Sequence, residues 1–234
     1  LLIGRQGESW PVQSEDQETA LLLLSGKVTF HYADQTVTAQ RQNCFRDDAT
    51  CLHVCRNTPV TLVFEEDGEV LVQQKENPRI FPAVLYDKSN IDKQFFGEGK
   101  LAATTRRQVT TILDYERTPY SNMVLGEITN FPGIWSSYPP HHHPQPEVYF
   151  YRFDYPHGFG AGFANGDVYK TEQNGCAVIN HGFHSQVVAP GYAMCYAWGI
   201  RHLEGDPWLK TRIDDKEHEW LWKPDANDHI YPNH

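Results

Sequence analysis

Short runs rich in Val, Ile, Thr, Tyr and Phe recur throughout this chain, and Gly, Pro, Asn or Asp interrupts each of them. No amphipathic helix of more than a few turns accompanies them. That combination restricts the chain to an all-β fold, a sandwich or a barrel. Residues 21–24, then Ser25-Gly26, then residues 27–32 read as strand, tight turn, strand. Asp34-Gln35 reads as the turn into residues 36–39. Residues 59–64 and 69–73 read as a hairpin around Asp67-Gly68, and together these runs make one small barrel. Residues 74–100 are more polar, carry Pro78, Pro82, Gly97 and Gly99, and read as a crossing into a second barrel. The expected units are therefore 1–82 and 83–234. The second set of strands is expected at 109–113, 123–128, 135–138, 148–153, 176–179, 184–188 and 192–198.

With 234 residues, 40% of them hydrophobic, the chain has material for one large or two small cores. Its formal charge of −10 argues against nucleic acid, which needs a basic footprint. An anionic small substrate remains open, because local arginines can outweigh the global field. No apolar run approaches the ~20 residues of a membrane span, and no signal-peptide pattern opens the chain. Cys44, Cys51, Cys55, Cys176 and Cys195 are odd in number and irregular in spacing, which fits reduced thiols of a cytoplasmic protein. The tail from Asp206 onward holds Trp208, Trp220 and Trp222 among acidic residues. It is expected to pack on the outside of the barrel or on a second copy of the chain.

The chemistry concentrates at residues 139–147, Pro-Pro-His-His-His-Pro-Gln-Pro-Glu. His141 and His143, two apart, share one side of an extended chain. Pro144 and Pro146 stiffen the turn into Glu147. Tyr149 and Tyr151 then share the inward face of Glu147, and Gln186 shares that of His184. Three imidazoles and a carboxylate suit a divalent transition metal; a surface histidine loop is the plainer alternative. No GxSxG nucleophile elbow is present. Gly158-Phe-Gly-Ala-Gly162 is not a dinucleotide fingerprint and fits a hairpin or a close backbone approach.

These residues resemble the cupin superfamily, whose first motif carries HxH and then Glu (His141, His143, Glu147) and whose second carries a glycine shortly before His (Gly182, His184). More closely, Trp135-Ser-Ser-Tyr-Pro-Pro-His141, Glu147-Val-Tyr-Phe-Tyr151, Gly182-Phe-His184 and Val187-Val-Ala-Pro-Gly-Tyr192 resemble the 5-deoxy-glucuronate isomerases of inositol catabolism. The 4-deoxy-L-threo-5-hexosulose-uronate ketol-isomerases belong to the same superfamily. The resemblance implies a bicupin of two double-stranded β-helix barrels with metal only in the second, which agrees with the lack of HxH in the first half. It implies a homo-oligomer and aldose–ketose isomerisation of a sugar acid, 5-deoxy-glucuronate to 5-dehydro-2-deoxygluconate. His141, His143, Glu147 and His184 would hold zinc, with manganese or iron as alternatives. Glu147, Tyr149 and Tyr151 would move protons; Arg106, Arg107 and Gln186 would bind substrate, with Arg201 a weaker third arginine. The short segment between His143 and Glu147 and the tail after Arg201 depart from the family pattern and bear on substrate choice. Two rival readings are a cupin dioxygenase, marked by iron and oxygen uptake, and a sugar-binding cupin without turnover.

Overall fold

The structure, a computed structural model, describes residues 1–232. The fold is all-β, with only short 3-10 turns besides the strands. Its contacts divide it into two compact units: Leu1–Asp92 with Ile112–Val124, and Lys93–Thr111 with Leu125–His234. The strands form facing sheets of a β-sandwich rather than the closed barrels expected.

In the first unit, the expected turn at Ser25-Gly26 is not a turn. One 16-residue strand, Gln17–Tyr32, runs straight through it. Its first half pairs with Thr50–Val54 and Gly68–Glu76, and its second half with Gln35–Arg41 and Val60–Phe64. The ladder to Gly68–Glu76 slips between Leu23 and Ser25, and Gly26 follows at φ +94°. A bulge and a glycine let a strand bend from one sheet into the next. For the same reason Val60–Phe64 and Gly68–Glu76 are not the hairpin expected: they pair with opposite halves of the long strand. Leu21, Leu23, Val28, Phe30, Leu52, Leu62 and Phe64 fill the space between, fully shielded from solvent. The next turn is Ala33-Asp34, both at positive φ, which closes the two-residue hairpin Tyr32↔Gln35.

The second unit holds the histidine motif. One sheet orders Cys176–Ile179, Glu147–Phe153, Met194–Arg201, Met123–Asn130, Arg107–Leu113 and Asp92–Phe96. The other orders Asp167–Glu172, Phe159–Ala164, His184–Val188, Trp135–His142 and Ile213–Asp214. Along Glu147–Phe153 every odd-numbered residue is buried and every even one is more exposed, the period-two pattern of a strand with one face inward. The glycine-rich run is the first strand of a hairpin turned by Asn165-Gly166, both at positive φ. No helix among the described residues is long and apolar enough to cross a membrane.

Gly26 fixes the sheet crossing, because a Cβ there would stand 2.5 Å from the Asp67 carbonyl oxygen and 2.6 Å from the Gly68 Cα. Gly7 shares its positive φ, yet its Cβ would meet nothing within 4 Å. Gly7→Ala is therefore expected to cost about 1 kcal/mol of backbone strain, and Gly26→Ala at least about twice that. Urea denaturation of the two variants measures the difference; equal midpoints would remove the steric argument.

Candidate metal centre

His141 lies near the end of Trp135–His142 and pairs across the sheet with His184, the first residue of His184–Val188. Paired residues point to the same face, and the two rings sit 4.4 Å apart between centroids. The ladder shifts between Ser136 and His141, where Ser137 takes φ 53°. His143 lies just beyond the strand, its ring 5.5 Å from that of His184. One nitrogen from each of His141, His143 and His184 falls within 4.8 Å of the others. From the facing sheet Glu147 brings Oε2 to 3.3 Å from His143 Nε2 and 3.4 Å from His184 Nε2.

Hydrogen bonds decide which nitrogens are bare. His143 Nδ1 donates to the Gln145 carbonyl at 2.8 Å, and His141 Nδ1 to the Ser137 carbonyl at 3.1 Å. A carbonyl only accepts, so both rings carry their proton on Nδ1 and, when neutral, leave a lone pair on Nε2. His184 has the Gly182 backbone beside it and Glu147 Oε2 at 3.4 Å from its Nε2. Burial and the neighbouring charges of His184, Arg212 and His143 hold His141 well below the usual histidine range. Burial likewise lowers His184, against the pull of Glu147. The Nε2 atoms of His143 and His184 both face Glu147 Oε2, so imidazole nitrogens and a carboxylate oxygen converge. The donor set fits a divalent metal on these grounds.

A hydroxyl network backs the cluster. Tyr149 donates to Glu147 Oε2 at 2.9 Å. Tyr151 donates to Gln186 Oε1 at 2.8 Å, Gln186 Nε2 donates to Tyr169 Oη at 3.1 Å, and the Tyr151 and Tyr169 hydroxyls lie 3.2 Å apart. Burial, then the charge of Glu147, pushes the Tyr149 phenol far up; burial does the same to Tyr151. Tyr196, bonded to Ser136 Oγ at 2.9 Å, is pushed up to about 12, chiefly by burial. These phenols stay protonated across ordinary pH and act as donors. Tyr169 lies against Gly162, where a Cβ would come within 2.1 Å of the ring.

The structure brings His141, His143, Glu147, His184, Tyr149, Tyr151 and Gln186 together. Arg106 lies apart, paired with Glu98 and stacked between Phe95 and Phe131, and Arg201 is exposed. Arg107 is largely buried, bonds the Thr105 carbonyl at 3.0 Å, and acts electrostatically on Tyr196. The sequence reading missed Tyr169, Tyr196 and Arg212. Asn165-Gly166 before the alternating Asp167–Glu172 was the available signal for Tyr169. The tail does not simply cover the outside: Trp208 packs 6.2 Å from the His143 ring and 5.6 Å from Trp198.

The family model described as KduI/IolB matches residues 3–221. The chain belongs to this family. A 5-deoxy-glucuronate isomerase from Geobacillus thermodenitrificans (strain NG80-2) is 25% identical over 234 residues, covering 92% of this chain and 82% of that one. The isomerase of the same name from Bacillus licheniformis is 27% identical over 236 residues, covering 92% and 83%. Among solved structures, an IolB-like protein from Salmonella typhimurium LT2 superposes with a TM-score of 0.83 at 21% identity, covering 94% of this chain and 87% of that one. The Lactobacillus farciminis oxalate decarboxylase superposes at 0.63 with 8% identity, covering 91% and 77%, a likeness of fold alone.

The fit of Tyr169 against Gly162 makes a measurable claim. Gly162→Ala is expected to cost about 1–3 kcal/mol through overpacking. In a Tyr169→Ala background the same change should cost much less. A double-mutant cycle by chemical denaturation reads this coupling, and additive losses would refute the packing account.

Proposed function

We propose that this member of an isomerase family is a metal-dependent aldose–ketose isomerase of a sugar acid. The first substrate to test is 5-deoxy-glucuronate, giving 5-dehydro-2-deoxygluconate in inositol catabolism. The observation that carries this reading is the cluster of three imidazoles, two of them beside one buried carboxylate, in a chain 25% identical to a 5-deoxy-glucuronate isomerase. His141, His143, His184 and Glu147 would hold the ion, with zinc the first choice and manganese or iron the alternatives. When bound, a divalent cation supplies Lewis-acid polarisation of the substrate carbonyl.

The reaction moves one carbon-bound hydrogen. The C2 proton of the open-chain aldose leaves, an enediol forms, and a proton returns at C1 while the O2 hydroxyl proton passes to O1. Glu147 is the candidate base for the carbon-bound proton. Its Oε2 already accepts from Tyr149, so a proton arriving on the carboxylate has a hydroxyl beside it to share. Tyr149 and Tyr151, kept protonated by burial, would donate to substrate oxygens. Gln186, held between Tyr151 and Tyr169, keeps those hydroxyls in place. Arg107 offers a cation for the substrate carboxylate.

Metal analysis of the purified chain, with an NMR assay on 5-deoxy-glucuronate in the presence and absence of chelator, tests the proposal. Stoichiometric metal with chelator-sensitive ketose formation is the expected result, and His143→Ala should lose both. A His143→Ala chain that turned over normally without metal would sink the mechanism. Tyr149→Phe is expected to keep its metal and lose about 10²-fold in kcat, the lower range for a general acid; unchanged kcat would remove Tyr149 from proton transfer.

A further inference from the structure

We propose that Arg212, carried into the site by the C-terminal tail, is the specificity-determining residue that binds the substrate carboxylate. This rests on the sugar-acid reading above and names the group that recognises the acid.

Strand register comes first. Ile213–Asp214 pairs with the end of Trp135–His142, with His141 opposite Asp214 and His142 opposite Ile213. Paired residues share a face and alternate residues return to it. Asp214 therefore faces inward with His141, and Arg212, two residues earlier, is on the same side. Ile213 points the other way and is exposed. The charge of Arg212 is felt at His141 and His184.

The guanidinium is also preorganised. Its Nε donates to Asp214 Oδ1 at 2.5 Å, and its Nη2 donates to the Pro139 carbonyl. The Trp222 ring lies beneath it at 5.3 Å, and Trp222 Nε1 donates to the other Asp214 oxygen at 2.9 Å. A guanidinium has five donors, of which Asp214 and the Pro139 carbonyl hold two on Arg212, while its side chain keeps 26% of its surface exposed. Arg107 adds a second cation that acts electrostatically on Arg212, and its buried Nε lacks an acceptor. A guanidinium held by Asp214 and Pro139 on the face of His141, with a second cation acting on it, makes a place for an anion in a chain whose overall charge is −10. A planar carboxylate matches the fork of an arginine.

The test compares an acid with its neutral counterpart. D-Glucuronate and D-glucose are titrated by calorimetry into the purified enzyme and into Arg212→Gln, with melting temperature and metal content checked for both. A loss of about 10- to 100-fold in affinity for D-glucuronate, with D-glucose unchanged, is expected for removing a charge-assisted hydrogen-bonded pair. On a substrate that turns over, the same loss should fall on KM, with kcat changed only a few-fold. Should the Gln variant fail to fold, Arg212→Lys keeps a charge in the slot but not the fork, and a smaller loss confined to the acid is expected. Equal losses for both sugars, or none, overturn the assignment, as does a parent enzyme that does not prefer the acid. An enzyme that binds D-glucuronate through Arg212 yet isomerises no sugar acid leaves the anion site standing and removes the isomerase reading. An isomerase indifferent to Arg212→Gln does the reverse.

Discussion

Glu147 is the constraint around which the second unit is organised. Its side chain is 6% exposed, and one oxygen serves Tyr149, His143 and His184 at 2.9, 3.3 and 3.4 Å. A carboxylate removed from water needs partners that stabilise its charge, or it takes up a proton. Two of the three imidazoles have their Nδ1 protons committed to backbone carbonyls. The Gln145 carbonyl thereby does more than orient a ring: it leaves His143 Nε2 facing the carboxylate. Such a cluster could bind a divalent metal.

Register supplies the rest. The face that receives Glu147 also receives Tyr149 and Tyr151, because successive residues of a strand alternate. On the facing sheet His184 and Gln186 follow the same rule, with His141 opposite His184. A shift of one residue in Glu147–Phe153 would turn the carboxylate and both phenols outward. Gly160 and Gly162 are buried in the neighbouring strand, and the missing side chain at Gly162 admits the Tyr169 ring to the hydroxyl network. The centre is thus carried by strands rather than by loops alone, which limits the drift of its donors.

The parts legible in the sequence are those in which local pattern and tertiary role coincide. The all-β class followed from β-rich runs and their breakers. The inward set of Glu147, Tyr149 and Tyr151 followed from period two. The errors arose where one local pattern serves two tertiary arrangements. Ser25-Gly26 looks like a turn, but a glycine at positive φ also lets a strand bend between sheets, and only the partners on either side distinguish the two. Val60–Phe64 and Gly68–Glu76 look like a hairpin for the same reason, though each pairs with a different half of Gln17–Tyr32. Arg106 and Arg107 are adjacent, and opposite-facing neighbours cannot both enter a site. Parity could have said that one of them was wrong, but not which.

The proposed role of Arg212 illustrates why a substrate-recognition residue is harder to read than a candidate metal ligand. A metal demands particular donors at short range, so its ligands leave a dense signature such as His-x-His and a following Glu. A carboxylate asks only for a fork of donors at the right edge. Here a two-residue strand, Ile213–Asp214, suffices to hold that fork, and two residues carry no periodicity. The surrounding tail is polar and aromatic, a composition that reads as surface. The same tail packs Trp208 near His143 and Trp222 under Arg212. On the proposed assignment, changes around Arg212 would alter which acid is accepted while the histidine cluster, carried by other strands, kept its geometry.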